Sequence, residues 1–119
     1  MRENVNLLNE TIETLSLCNL IFSDVKWVGS RDGRYAVSFE TFALMANQTY
    51  DAGYGGVKVI PDLVVVGDGW WLERHEYDGS EWWEYKEQPR VTEGKPFTGC
   101  FVEDYEYSIS ELMERKKNG

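Results

Sequence analysis

Two aromatic-rich stretches dominate the hydrophobic pattern of the chain, at positions 70–77 and 80–87. They contain four of the five tryptophans and the single histidine, and the dipeptide Asp78-Gly79 separates them. An Asp-Gly pair favours a two-residue hairpin, because both central residues of a type I′ turn need φ above zero. The pattern therefore predicts a β-hairpin in which Tyr77 faces Ser80 and the pairing continues outward to Trp70 opposite Glu87.

The chain before this hairpin alternates between helical and strand patterns. Apolar residues spaced three and four positions apart predict helices over residues 4–20 and 40–50. A second Asp-Gly pair, Asp32-Gly33, predicts a hairpin over residues 25–39. A short strand is predicted at 57–60, and the continuous apolar run 63–66 is typical of a central strand that is covered on both faces.

The chain after the hairpin begins with a polar segment, residues 88–99, which is predicted to be a loop. Residues 100–107 have strand composition, and Ser108 followed by Glu111 predicts a capping box and a helix over 109–117. The order of elements predicts an α+β fold with a mainly antiparallel sheet of about five to six strands, and with the N-terminal, middle and C-terminal helices packed mostly on one face. A length of 119 residues predicts a single domain, 1–119.

The two faces of the hairpin differ in composition. One face is predicted to be core because it contains Trp70, Leu72, Trp83 and Tyr85, and Arg74 on this face is expected to stack on Trp83 as a cation–π pair. The other face also contains large aromatic rings, although an antiparallel sheet with helices on one side needs only one apolar face.

This second face also places Glu73 opposite Glu84, a like-charge pair that costs stability unless a cation lies nearby. Lys86 is such a cation within the hairpin, and an arginine or lysine of a partner is the alternative. Two interpretations stay open: ordinary cross-strand packing covered by residues 88–99, or a partner-binding face. Under the second, the predicted partner-binding residues are Trp71, Glu73, His75, Tyr77, Trp82, Glu84, Glu103, Asp104 and Glu106.

The formal net charge is −9, and it lies in the second half of the chain, where residues 68–114 include 13 acidic and four basic side chains. Such a surface repels phosphate groups, so we expect no direct binding to nucleic acid or to an anionic membrane. A basic protein surface is the expected partner, such as that of a nucleic-acid-binding effector. Solubility alone is the alternative explanation of the charge.

Catalytic and metal-binding signals are weak. His75 has acidic neighbours but no nucleophile at a recognised spacing, and one histidine with two cysteines is a poor ligand set for zinc. The sequence therefore predicts no enzyme, no cofactor and no metal site. Cys18 and Cys100 are expected to be reduced and buried, with a disulfide as the alternative. The chain has no apolar run of about 18 residues and no signal-peptide pattern, so a cytoplasmic location is predicted.

Residues 62–86, DLVVVGDGWWLERHEYDGSEWWEYK, resemble small acidic proteins carried by bacteriophages and mobile elements of Gram-positive bacteria. The specific part is the segment WWLERHEYDGSEWW. In size, acidity and lack of catalytic residues the chain is also similar, as a class, to phage counter-defence inhibitors such as anti-CRISPR proteins. The resemblance of the segment implies no specific activity, and the similarity of class implies no functional residue. Together with the negative charge after Asp68 and the surplus aromatic rings, the similarity of class leads us to expect a non-catalytic inhibitor that occupies a basic, nucleic-acid-binding surface in the cytoplasm of the bacterial host.

Two other functions fit the aromatic hairpin. A structural or assembly protein would use the second face as a homodimer interface. A small-ligand or carbohydrate-binding module would use the same rings to hold its ligand.

Overall fold

The computed structural model of the protein describes residues 4–53, 55–102 and 106–118. The chain forms two compact units, Met1–Gln88 and Pro89–Gly119, and each is considered by itself. The prediction that the chain is a single domain stays a prediction.

Over its described residues, 4–53 and 55–88, the first unit combines two α-helices with two antiparallel sheets. A five-stranded sheet has the order β3-β2-β5-β6-β7, and β1 pairs with β4 in a separate two-stranded sheet. The α+β prediction with a mainly antiparallel sheet is therefore confirmed. In chain order the elements are β1 (Val5–Asn6), α1 (Leu7–Leu17), a 3₁₀ helix (Phe22–Asp24), β2 (Val25–Ser30), β3 (Ala36–Val37), α2 (Phe39–Ala46), β4 (Thr49–Tyr50), β5 (Leu63–Gly67), β6 (Trp70–Tyr77) and β7 (Ser80–Glu87).

Both helices are shorter than predicted because side chains and strand pairing define their ends. The Asn6 side chain accepts a hydrogen bond from the Asn9 N–H at 3.0 Å and begins α1, and Ser38 caps α2 in the same way. At the other end of α1, Asn19 has a φ of 60°, a left-handed conformation that does not continue a helix. Residues 49–50, predicted to be helical, instead pair with β1.

The central hairpin has the predicted register. Tyr77 faces Ser80, and the pairing continues to Trp70 opposite Glu87. The φ angles of Asp78 and Gly79 are 51° and 87°, as a type I′ turn requires. Strand β5 lies in the middle of the sheet, which confirms its predicted central position, and Val65 on its core side is fully buried. The prediction that both of its faces are covered is not met, because Val66 on the other side is only half-buried.

The hydrophobic core lies between the sheet and the helices α1 and α2. The face of the hairpin that the sequence predicts to be core contributes to it, and the Trp70 ring stacks on the Tyr85 ring with centroids 6.1 Å apart. The buried residues of this cluster are Leu7, Leu15, Val28, Phe42, Ala46, Val65, Trp70, Leu72 and Trp83. Since α1 and α2 both contribute to one cluster, they cover the same face of the sheet.

The predicted strand at residues 57–60 is wrong, because this segment is irregular in the structure. The backbone N–H groups of Lys58 and Val59 donate to the side-chain carboxylate of Glu81, at 2.6 and 3.2 Å. A carboxylate therefore takes the place of the strand partner that these N–H groups would otherwise need.

The second unit contains helix α3 (Ile109–Asn118). The predicted capping box is confirmed, because Ser108 and Glu111 exchange two hydrogen bonds of 3.1 Å between backbone and side chain. The predicted strand at 100–107 is wrong for the described residues 100–102 and 106–107, none of which lies in a strand. Both cysteines are free, but Cys18 is only half-buried and Cys100 is exposed, so the prediction that they are buried is wrong.

Candidate functional site

The five-stranded sheet has a second face, opposite the one covered by α1 and α2, which we call the open face. The strand register places side chains of β2, β5, β6 and β7 on it. Three of them are tryptophans, and all three indoles are partly exposed. The open face consists of Trp27, Gly29, Val64, Val66, Trp71, Glu73, His75, Tyr77, Ser80, Trp82, Glu84 and Lys86.

Two copies of the pattern Trp-x-Glu-x-(His/Lys) form the centre of the open face, at residues 71–75 on β6 and 82–86 on β7. In each copy the indole N–H donates to the glutamate two positions later, at 2.7 Å in the first copy and 3.1 Å in the second. The basic residue two positions further on contacts the same glutamate, at 2.7 and 3.4 Å. Because the strands are antiparallel, the two copies are related by a local twofold arrangement.

The like-charge pair Glu73–Glu84 lies at the centre of this arrangement and is bridged from within the molecule. Nε2 of His75 lies 2.7 Å from Glu73 Oε2, and Nδ1 of the same ring lies 3.5 Å from Glu84 Oε2. Arg31 Nη2 is 3.8 Å from Glu73, and Lys86 Nζ is 3.4 Å from Glu84. Arg31 and Lys86 therefore place positive charge from the molecule itself beside the two carboxylates, and the His75 ring lies between them.

The indole hydrogen bonds also change the acidity of the two carboxyl groups. The bond from Trp71 lowers the pKa of Glu73, and His75 and Arg31 act in the same direction. The bond from Trp82 similarly lowers the pKa of Glu84. Both glutamates are therefore ionised at neutral pH, and each is held in a fixed position by an aromatic ring.

The structure brings six of the nine predicted partner-binding residues together on the open face. Tyr77 is the most exposed of them, at 76%. Glu106 is exposed but belongs to the second unit, and Glu103 and Asp104 lie outside the described residues. The six residues are Trp71, Glu73, His75, Tyr77, Trp82 and Glu84.

Trp27 is an open-face residue that the sequence prediction missed. Its neighbour Val28 is buried, and alternation along β2 places Trp27 on the opposite side. A Cβ atom at position 29 would lie 2.0 Å from the backbone oxygen of Tyr35 and 2.7 Å from Cη2 of the Trp27 indole, so Gly29 allows the neighbouring backbone, and also this ring, to approach β2 closely. The sequence does contain a signal for this placement. Once Val28 is assigned to the core, alternation along the strand predicts that Trp27 lies on the opposite face.

A recess of about 340 Å³ opens on this face beside Trp71, and we call it the open-face recess. Val64 and Val66 of β5 line it together with the Trp71 ring, and its charged residues are Arg31 and Glu73. It therefore combines apolar, aromatic and charged groups.

A buried charge cluster lies on the core side of the hairpin. Arg74 contacts Glu10 at 3.2 Å, Glu81 at 3.0 Å and the Tyr50 hydroxyl at 2.9 Å. Its guanidinium carbon is 4.8 Å from the Trp83 ring centroid, which confirms the predicted cation–π pair.

The charged side chains of this cluster are closed to solvent, whereas Tyr50 is half-buried. The side chains of Arg74, Glu10 and Glu81 are only 3%, 5% and 1% exposed. Burial and a hydrogen bond to Glu10 raise the pKa of Tyr50 to about 12. Because its three charged side chains are buried and pair with one another, we assign the cluster to the stability of the fold, where it joins α1, β4 and the hairpin.

A second concave feature, the apolar cleft, has a volume of about 490 Å³ and lies on the helix side of the first unit. Its lining is mostly apolar, and several lining side chains are exposed, including Tyr35, Met45 and Ile60. Lys58 and Asp62 are the charged residues among those that line it. The sequence pattern does not predict this cleft, because it assigns residues 57–60 to a strand, and residues 58–60 are irregular chain that lines the cleft.

Among the described residues, no group of three or more His, Cys, Asp or Glu side chains is arranged to hold a metal ion. None of the described helices has both the length and the apolar character needed to cross a membrane. Comparisons of the chain with protein-family models, with curated proteins and with solved structures find no match.

Proposed function

We propose that the protein is a non-catalytic binding protein whose open face docks on a basic surface of a protein partner. The observation that supports this most directly is the composition of that face, with three partly exposed tryptophans around two ionised glutamates. Tryptophan and tyrosine are the residues that most often supply binding energy at protein interfaces.

The hydrogen bonds within the face also favour binding. The indoles of Trp71 and Trp82 are each tied to a glutamate on the same strand. A ring that is already fixed loses less conformational entropy when a partner covers it, so more of the contact energy remains as affinity. A binding face of this kind is organised before the partner arrives.

The charge around the face favours a basic partner. Asp78 is exposed in the turn next to the open face, Glu76 and Glu87 are exposed on the other side of the same hairpin, and the chain as a whole has a net charge of −9. Acidic surfaces increase the rate of association with basic ones, and salt reduces this effect. We extend the proposal to a nucleic-acid-binding effector of a bacterial host, whose basic groove this protein would occupy as a phage-type inhibitor.

The test is a binding panel of purified basic nucleic-acid-binding proteins, including CRISPR effectors, with acidic proteins as negative controls. We expect binding that weakens as salt rises and that Trp82→Ala and Glu84→Lys reduce. Glu13→Lys is the matched charge control, because Glu13 is exposed on α1 and lies outside the open face. Absence of binding across the panel, or an equal effect of Glu13→Lys and Glu84→Lys, contradicts the proposal.

Two other functions of the open face give different results in the same assays. A homodimer would show twice the monomer mass in light scattering, and Trp82→Ala would reduce that mass. A carbohydrate-binding module would show a change in tryptophan fluorescence with a glycan panel, independent of salt.

A second candidate function is the binding of a small apolar ligand in the apolar cleft. Its volume of about 490 Å³ falls within the range of small-molecule sites. Met45 lines the cleft and its neighbour Leu44 does not, although both are exposed on α2. We expect Met45→Glu, but not Leu44→Glu, to abolish the binding of decanol measured by calorimetry; equal loss in both variants contradicts a specific site.

A further inference from the structure

We propose that the open-face recess binds an arginine side chain of the partner, and that Arg31 occupies part of this site in the free protein. This inference rests on the proposed function, since it names the group by which a basic partner is recognised. It adds to that proposal the residue type that is recognised, arginine, and the position where it binds, the open-face recess. It also names Arg31 as the residue of the chain itself that competes for this position.

The lining of the recess matches the parts of an arginine side chain. Half-buried Val66 and the small exposed part of Val64, which is 5% exposed, offer an apolar surface to the three methylene groups, which long basic side chains bury while the charged end stays polar. The Trp71 ring offers a face on which a guanidinium stacks. Glu73 lies beside that ring and is ionised, so it accepts charge-assisted hydrogen bonds from the same guanidinium.

Glu73 has capacity left for such a ligand. One oxygen accepts the Trp71 indole at 2.7 Å and the other contacts His75 at 2.7 Å. An ionised carboxylate accepts about four hydrogen bonds, so these contacts leave room for a bidentate partner. The indole bond also keeps the carboxylate and the stacking surface in a fixed relation to each other.

The position of Arg31 indicates that the recess attracts a guanidinium, and the ion pair between Arg31 and Glu73 is weak. Its Nη2 is 3.8 Å from Glu73 Oε2, which is longer than a hydrogen bond, and its side chain is 55% exposed. Exposed pairs of this kind contribute little to stability, so a ligand displaces Arg31 at low cost. In the second copy of the pattern, by contrast, Lys86 comes from the same strand as Glu84 and lies 3.4 Å from it.

The test uses three capped tripeptides, Gly-Arg-Gly, Gly-Lys-Gly and Gly-citrulline-Gly, titrated into the full chain. Binding is followed by the NMR signals of the tryptophan indole N–H groups, which weak ligands still shift. We expect the arginine peptide to shift the Trp71 indole signal most and at the lowest concentration, and the uncharged citrulline peptide to leave it unchanged.

Four variants test the recess, and the first two of them separate its effect from general charge effects. Arg31→Ala removes the competitor, and we expect it to tighten binding of the arginine peptide by up to about fivefold, the limit set by an exposed ion pair. Arg34→Ala removes the same charge from the neighbouring turn, where the guanidinium stacks on Tyr35, and should change the affinity little. Glu73→Gln should remove the preference for arginine, and Trp71→Phe, which keeps a ring, should weaken it.

Equal affinity for the arginine and lysine peptides overturns the inference, as do equal effects of Arg31→Ala and Arg34→Ala or an unmoved Trp71 signal. These results leave the proposed function standing if the open-face variants still weaken binding of a basic protein. Loss of all binding to basic proteins removes the proposed function itself. The indole signals of the free variants show in the same experiment whether each variant is folded.

Discussion

Replacement of Arg74 by methionine tests the interpretation of the buried charge cluster. The substitution keeps a long side chain between Trp83 and the helix but removes the guanidinium that contacts Glu10 and Glu81. Two carboxylates then remain in an environment where their side chains are 5% and 1% exposed. We expect the variant to be strongly destabilised.

The expected loss follows from the cost of leaving a buried charge without its partner, about 3–5 kcal/mol. The backbone N–H groups of Lys58 and Val59 still donate to Glu81, which places the loss towards the lower end of that range. Since the free energy of unfolding of a domain is about 5–15 kcal/mol, a loss of this size is a large part of the total.

Urea unfolding followed by tryptophan fluorescence measures this loss, with the slope against urea checked for two-state behaviour. Arg34→Met is the matched control, because Arg34 is exposed and stacks on Tyr35. We expect a change below about 0.5 kcal/mol for the control. A loss below about 1 kcal/mol for Arg74→Met would refute the view that this cluster stabilises the fold.

Three further substitutions test the open face and the hairpin. Trp82→Phe removes the indole N–H that lowers the pKa of Glu84, so the pKa of that carboxyl, measured by NMR titration, should move up towards its ordinary value; an unchanged pKa contradicts the cause that we assign. The pKa of Glu73 is lower in the folded protein than the ordinary 4.5, so the ionised carboxylate stabilises the fold above that pH, and this stability is lost as the pH falls through the folded-state pKa. Glu73→Gln should therefore make the unfolding free energy depend less steeply on pH in the acid range. An unchanged slope in that range counts against this cause. Gly79→Ala places a Cβ at a φ of 87° and should cost about 1–2 kcal/mol in urea unfolding, whereas a neutral result would argue against the type I′ turn.

The hairpin and its two faces could be predicted from the sequence because their determinants are local. The Asp-Gly pair determines the turn type, and the turn type determines the register of the two strands. The register then assigns each residue of both strands to one face of the hairpin. Once Tyr77 faces Ser80, the opposition of Glu73 and Glu84 follows without further information. The capping box of α3 was predictable for the same reason, because both partners lie within one helical turn.

Features that depend on distant parts of the chain could not be predicted. The sequence indicated that Arg74 stacks on Trp83, but Glu10, which is 64 positions away, gave no sign of joining them. The irregular segment at 57–60 has strand composition, and only the Glu81 carboxylate, more than twenty positions later, determines that its N–H groups bond elsewhere. Local pattern carries no information on such pairings.

The twofold relation between residues 71–75 and 82–86 has a consequence for directionality. A segment that approached these two strands alone would find nearly the same groups after a half turn, so the pattern by itself does not distinguish the two ends of a ligand. Arg31 and the recess beside Trp71 lie next to one copy of the pattern. This asymmetry makes the two ends of the open face different, and it would determine the N-to-C direction of a chain bound there.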